Sequence, residues 1–155
     1  MGRYIDEILQ PGEKLLYSTT VHWIIYLRGM IALAVALVAL VYVTYVDNSA
    51  GKLSLLGLAI FCALYGLVDI VRAWFRRWTT EFDVTDRRVV HKSGFIERRT
   101  IEMNMDKIES VDVNQTLFGR IFDYGEVVVR GVGESWEPIF TIGSPLKFRN
   151  HITAR

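Results

Sequence analysis

The chain has 155 residues, about the length of one domain, and its composition excludes several classes of protein. Hydrophobic residues make up 51% of it and charged residues 23%, but residues 1–78 carry only 7 Lys/Arg and 5 Asp/Glu, against 11 and 12 in residues 79–155. The net charge of +1 argues against a nucleic-acid-binding protein, which needs a strongly basic face. The single cysteine, Cys62, excludes an intramolecular disulfide and a Cys-X-X-Cys site.

Residues 1–22 form an N-terminal segment with one predicted strand, near residues 13–20. This stretch has the β-branched and aromatic side chains that are typical of strands. We expect the strand to join the sheet formed by residues 79–155, where it would cover an exposed sheet edge.

Two long apolar runs follow. Residues 29–46 contain no charge over eighteen positions and, as a helix rising about 1.5 Å per residue, would cover roughly 27 Å of a hydrocarbon core about 30 Å thick. We predict a transmembrane hairpin with helices at 23–46 and 53–76 and a short external loop at 47–52. A buried pair of soluble helices would show a polar face, which these runs lack. A cleaved signal peptide would have a shorter apolar core behind a basic start.

Lysine and arginine are concentrated on one side of the predicted hairpin. Because the side rich in these residues is cytoplasmic in membrane proteins, both termini are expected to be cytoplasmic. An aromatic belt at the same interface would be formed by Trp23, Tyr26, Trp74 and Trp78. The basic residues on that side are Lys14, Arg28, Arg72, Arg76 and Arg77, whereas the loop carries only Lys52.

Two charged residues lie inside the predicted spans. Arg28 comes five residues after Trp23 and Asp69 five residues before Trp74, so both would reach the same depth. One hypothesis is an interhelical Arg28–Asp69 ion pair that fixes the register of the helices. The other is that Arg28 extends to the lipid headgroups while Asp69 pairs with Arg72.

Small residues also recur at a spacing of four, which lets membrane helices approach closely and self-associate: Ala32/Ala36, Ala59/Ala63 and Cys62/Gly66.

Residues 79–155 alternate between polar and apolar side chains in the manner of strands. We predict six strands, with tight turns at 85–88 and at Ser93-Gly94, forming a small antiparallel barrel or sandwich. In the last strand Trp136 and Ile142 share a face, and Pro138, which lacks an N–H, predicts an edge position. Pro145 is expected to begin a C-terminal helix.

Several short motifs occur in a distinctive order. Gly-Glu at 12–13 and His-Trp at 22–23 precede the apolar runs, and Val-Thr-Asp-Arg-Arg at 84–88 follows them. Next come Lys-Ser-Gly-Phe-Ile at 92–96, Lys-Ile-Glu-Ser-Val at 107–111 and Leu-Phe-Gly-Arg-Ile-Phe-Asp-Tyr-Gly at 117–125. This order resembles the membrane-anchored bacterial pleckstrin-homology (PH) domain family, formerly a domain of unknown function. The resemblance implies two packed antiparallel sheets closed by a C-terminal helix at the inner membrane, a tendency to oligomerise, and no enzyme activity.

The last motif is interpreted as a structural loop. Gly119 and Gly125, like Gly94 in the earlier turn, are expected to adopt positive φ in tight reversals. Arg120 is expected to bind loop carbonyls or the carboxylate of Asp123, with ligand binding as the alternative role. Asp86, in the earlier turn, is expected to bind its own backbone two residues on.

No catalytic or metal-binding constellation is found, because the three histidines are far apart in sequence. Lipid headgroups could be contacted by a basic collar on the second helix and by basic residues around Gly94, although residues 79–155 have a net charge of −1. These candidates are Arg72, Arg76, Arg77, Lys92, Arg98 and Arg99.

The sequence therefore predicts a membrane α + β protein: a transmembrane hairpin followed by a PH-like antiparallel barrel or sandwich with a C-terminal helix. We expect a non-catalytic scaffold or accessory subunit that makes protein–protein contacts at the inner membrane, as a homo-oligomer or within a larger membrane complex. The alternative is a sensor of anionic lipid headgroups. An oligomeric pore would need a polar stripe on the helices, for which only Thr44, Ser54 and Tyr65 are available. No cofactor, metal or nucleic-acid partner is expected.

Overall fold

The computed structural model describes residues 5, 8–94, 99–135 and 138–154. The chain forms two compact units: Met1–His22 with Arg76–Arg155, here called the β unit, and Trp23–Phe75, here called the helical unit. Residues 95–98, Trp136 and Glu137 belong to predicted strands and lie outside the described residues.

Two apolar helices dominate the helical unit. A 3-10 turn at Trp23–Tyr26 leads into helix α1 (Leu27–Val43), and helix α2 comprises Ser49–Thr79. The second helix begins earlier than the predicted residue 53, because the Asn48 side chain accepts a hydrogen bond from the Ala50 N–H and so caps a turn there. Both helices are long and apolar enough to cross a membrane.

The two helices approach backbone to backbone at a pair of glycines. A Cβ added to Gly66 would lie 2.8 Å from the Gly29 carbonyl oxygen, and one added to Gly29 would lie 2.9 Å from the Gly66 oxygen. Further along, the helices bury mainly small residues, so the contact is made largely without bulky side chains. The buried residues are Gly29, Ala36 and Ala39 in α1 and Ala59, Gly66 and Ala73 in α2.

Two antiparallel sheets form the β unit. The first has the order β1-β2-β3-β4, with strands at Leu15–Thr20, Glu81–Thr85, Arg88–Ser93 and Arg99–Asn104. In the second, β6 pairs with each of the other three strands; β5 to β8 are Ile108–Asn114, Tyr124–Gly131, Glu134–Ser135 and Ile139–Gly143. In the described residues seven strands follow residue 79 rather than six, because a turn with Gly133 at φ +80° adds the two-residue β7.

Strand β1 belongs to the β unit although α1 and α2 separate it from its partner in sequence. It pairs antiparallel with β2, from Thr20 opposite Glu81 to Leu15 opposite Thr85. Beyond β1 the chain also bonds β8, through the His22 N–H to the Thr141 oxygen at 2.7 Å. The segment before the apolar helices thereby connects the two sheets.

The core lies between the sheets and under the C-terminal helix. Val84, Val127 and Ile142 are fully buried, as is Phe148 of that helix. The short helix α3 (Leu117–Phe122) joins β5 to β6, and helix α4 (Pro145–Thr153) places the Phe148 ring edge-on against Phe82 at 6.5 Å. The predicted antiparallel sheets and C-terminal helix are confirmed, with Pro145 in the first turn.

Candidate functional site

The predicted headgroup contacts fall into two sets. Arg72, Arg76 and Arg77 are exposed on α2, the last two in its final turn. Lys92 and Arg99 lie near the ends of β3 and β4, where Lys92 is opposite Thr100 and Ser93 is opposite Arg99. Arg98 lies outside the described residues.

The loop around α3 is held together by side-chain hydrogen bonds. The Thr116 hydroxyl accepts from the Gly119 N–H at 3.1 Å and caps α3. The Gln115 amide donates to the Gly119 and Tyr124 oxygens at 3.2 and 3.1 Å. Gln115 therefore makes the carbonyl contacts that the sequence assigns to Arg120.

The prediction of positive φ is confirmed for Gly94, at +90°, and is wrong for Gly119 and Gly125. In this loop the left-handed residue is Asp123, at φ +56°, where it ends α3. The glycines are needed for close approach instead: a Cβ on Gly119 would lie 2.6 Å from the Tyr124 oxygen, and one on Gly125 2.8 Å from the Asn114 oxygen. The Asp123 carboxylate accepts a hydrogen bond from the Ser144 hydroxyl, which links the loop to the start of α4.

Helix α3 exposes large apolar side chains on a well-fixed backbone. Leu117, Phe118 and Ile121 are 78%, 67% and 73% exposed. Arg120 is also exposed, and its guanidinium has no hydrogen-bond or ion-pair partner among the residues that the structure describes. The sequence does not reveal this surface, because the motif at 117–125 is interpreted only as a structural loop.

The end of α3 lies beside His22, the last residue of the β unit before the apolar helices. The His22 ring stacks on Tyr124 with centroids 5.5 Å apart. Burial lowers the pKa of His22, and the positive charge of nearby Arg77 lowers it further against the opposing charge of Asp123. His22 directly precedes Trp23, and Arg77 lies in the last turn of α2. We call this part of the β unit the junction end.

A buried ion pair fixes the segment before β1. The Glu13 side chain has no exposed surface and lies 3.0 Å from the Arg88 guanidinium, which is itself 12% exposed. Arg88 also binds Glu102 at 2.7 Å and the Ile8 oxygen at 2.8 Å. Although burial raises the pKa of Glu13, hydrogen bonds from Gln10, Thr85 and Arg88 outweigh it, so that the pKa is lowered.

A second pair of contacts strengthens this attachment. The Lys14 N–H donates to the Asp86 carboxylate at 2.9 Å, and the Asp86 N–H donates to the Lys14 oxygen at 3.1 Å. The Thr85 hydroxyl, rather than Asp86, accepts the turn's own N–H groups, from Arg87 and Arg88. The Gly-Glu and Thr-Asp-Arg-Arg motifs are therefore two halves of one structural site.

In the helical unit, the Arg28 guanidinium donates to the Tyr65 hydroxyl at 3.2 Å. The described part of the chain has no ion pair between Arg28 and Asp69. The interhelical ion pair stays a prediction, and Tyr65 is an alternative partner at a similar depth.

The remaining surface offers little for chemistry. Among the described residues no group of three or more His, Cys, Asp or Glu side chains is arranged to hold a metal ion. A shallow depression of about 360 Å³ lies between β4 and the β6–β7 turn, with Glu102, Lys107 and Val132 among its lining residues.

Comparison with known proteins agrees with the architecture. The sequence model for the bacterial PH domain matches residues 23–155, so β1 and Glu13 precede the matched part. No match was found among curated proteins or among solved structures. PH domains are in general non-catalytic interaction modules, and this chain, matched over most of its length, belongs to the bacterial PH domain family.

Proposed function

We propose that this protein is a non-catalytic scaffold or accessory subunit, anchored in the bacterial inner membrane by α1 and α2. Both termini and the β unit are on the cytoplasmic side, where the protein makes protein–protein contacts. The observation that carries the proposal is the exposure of the two helices. Only 17% and 11% of their most apolar stretches are buried, whereas the core helices of a soluble protein are mostly buried.

Lipid is the natural solvent for these exposed side chains. Leu37, Phe61 and Leu64 are each at least 60% exposed, and no charged face offsets them. The basic residues Arg76 and Arg77 in the last turn of α2 support the cytoplasmic placement of that end.

Self-association is supported by small residues that the hairpin does not fully cover. Ala32, Cys62 and Ala63 are only partly buried beside the tight Gly29–Gly66 contact. A second hairpin could approach closely over this surface, because small residues are what membrane helix contacts require.

Native mass spectrometry of the full chain, extracted in gentle detergent, tests the scaffold proposal. We expect a homo-oligomer or a co-purifying membrane protein. Replacing Ala63 by Phe should shift a homo-oligomer toward monomer, while the control Leu64→Phe, on the more exposed surface, should not. A lone wild-type monomer with no co-purifying protein would overturn the scaffold proposal.

The second candidate is a sensor of anionic headgroups that would use Lys92 and Arg99, near the ends of β3 and β4, where the register places the two side chains on opposite faces of the sheet. Its test needs the full chain, since residues 79–155 alone lack β1 and Glu13. Nanodiscs of neutral and of anionic lipid should then differ in thermal stabilisation of the protein. The variant Lys92→Gln/Arg99→Gln should remove the difference if these residues recognise headgroups, and Arg130→Gln serves as the control.

A further inference from the structure

We infer that α3 is an interfacial membrane anchor: Leu117, Phe118 and Ile121 insert among the lipids of the cytoplasmic leaflet, and Arg120 contacts the headgroups. This inference rests on the proposed membrane attachment of α1 and α2. It assigns a lipid-binding surface to the β unit, separate from the basic residues around Gly94.

The first support is the chemistry of α3. Large apolar side chains on a soluble surface normally find a partner, yet these three are each at least 67% exposed. The exposed Arg120 lies among them in sequence, and its guanidinium has no hydrogen-bond or ion-pair partner in the described part of the chain. An apolar surface with an arginine suits the boundary between acyl chains and phosphates, where the aliphatic stem is buried and the guanidinium meets anions.

The second support is the position of α3 in the β unit. Tyr124, two residues beyond the end of α3, stacks on His22. His22 is bonded directly to Trp23, the first residue of the apolar helical unit, and consecutive Cα atoms are only about 3.8 Å apart. If Trp23 lies at the membrane interface, the junction end is at the same interface, and a helix of six residues is only about 9 Å long.

The third support is that hydrogen bonds at both ends hold the backbone of α3 in place. The backbone of α3 is held by Thr116 at its start, by the Gln115 amide at Gly119, and by the bond between Asp123 and Ser144 at its end. None of these contacts uses the apolar side chains. The helix is therefore fixed by polar bonds that leave its apolar residues available to a partner, and the covalent link from His22 to Trp23 favours the proposed membrane as that partner.

Site-specific fluorescence in proteoliposomes tests this inference with the full chain. Cys62→Ser supplies a cysteine-free background, into which Ile121→Cys is introduced and labelled with an environment-sensitive fluorophore. The matched control is Val132→Cys, because Val132 is 68% exposed on the β6–β7 turn. We expect spin-labelled lipid to quench the probe at 121 several-fold more than the probe at 132, and aqueous iodide to show the reverse order.

A third probe separates the inference from the proposal on which it rests. Leu37→Cys lies on α1, where Leu37 is 63% exposed. Lipid quenching at 37 without quenching at 121 would overturn the inference alone, whereas no lipid quenching at 37 would overturn the membrane proposal itself. A probe at 121 that is shielded from iodide but not quenched by lipid would identify a second copy or another protein as the occupant, and would also overturn the inference.

Discussion

The β unit and the helical unit hold remote parts of the chain together by opposite means. Before β1, the fully buried Glu13 carboxylate lies 3.0 Å from Arg88 of β3. Between α1 and α2, Gly29 and Gly66 approach so closely that a side chain on either glycine would collide with the carbonyl oxygen of the other. In lipid, apolar side chains gain little by leaving the solvent, so helices need close van der Waals contact. In the β unit an apolar core already drives folding, and we expect the ion pair to specify which segment occupies the β1 position.

The largest expected effect comes from breaking the buried Glu13–Arg88 ion pair. Arg88→Ala should lower the free energy of unfolding of the β unit by about 3–5 kcal/mol, because it leaves the buried Glu13 carboxylate without its cation. Glu13→Ala should cost less, since Arg88 keeps Glu102 and the Ile8 oxygen as partners. Hydrogen exchange of the β2 and β3 amides in the full chain measures both. Equal losses in the two variants would show that the unpaired charge is not the main cost.

The helical contact provides the second test, with a matched pair of glycines on α2. Gly66→Ala should destabilise the hairpin by about 1–3 kcal/mol, because the new methyl group would lie 2.8 Å from the Gly29 oxygen. Gly57→Ala should be neutral or slightly stabilising, since nothing lies within 4 Å of an added Cβ there and alanine favours helices. Denaturation by SDS, followed by circular dichroism, compares them. Similar destabilisation at both positions would contradict the close-approach explanation.

The ion pair should also make the β unit sensitive to acid. The pKa of Glu13 is raised by burial but lowered more by its hydrogen bonds and by Arg88, so in the folded state it lies below the ordinary 4.5. A lowered carboxyl pKa stabilises the fold fully above pH 4.5, and this stability is lost as the pH falls from 4.5 through the folded value. Glu13→Gln should therefore show a shallower loss of stability on acidification than the wild type. Unfolding midpoints of the variant and the wild type, measured across this pH range, test this prediction. Parallel curves of midpoint against pH would show that Glu13 does not cause the acid sensitivity.

The smallest effect is expected at an exposed ion pair. Arg130 binds Asp112 at 2.8 Å, but the two side chains are 56% and 53% exposed. Arg130→Ala should cost no more than about 1 kcal/mol, and less at high salt, because water screens the pair. Chemical denaturation at low and high salt measures the effect. A loss close to that of Arg88→Ala would remove the distinction between buried and exposed pairing in this unit.

The sequence predicted those features that depend on local pattern. Alternation of polar and apolar residues indicated the antiparallel sheets, and Pro145 indicated the start of the C-terminal helix. The aromatic and β-branched content of residues 13–20 indicated a strand, and Leu15–Thr20 forms β1 in the structure. Each of these signals is contained within a few neighbouring residues.

Features that depend on distant residues could not be found in this way. Glu13 and Arg88 meet only because β1 pairs with β2, and no local pattern links two motifs more than seventy residues apart. Gly119 and Gly125 are predicted to adopt positive φ, but the structure shows that they are needed because other backbone atoms approach them too closely for a side chain. The exposure of α3 is equally a tertiary property, since Leu117, Phe118 and Ile121 would suit a buried segment just as well.

The β unit is built from two separate stretches of the chain, and this affects the order in which its strands become available during synthesis. Leu15–Thr20 leaves the ribosome well before its partner Glu81–Thr85, because both apolar helices are made in between. At about 5–20 residues per second, β1 waits on the order of 3–13 seconds for a strand to pair with. The β unit can therefore be completed only after the intervening helices have been made, and a delay in the membrane insertion that we propose for them would prolong the time that β1 spends unpaired.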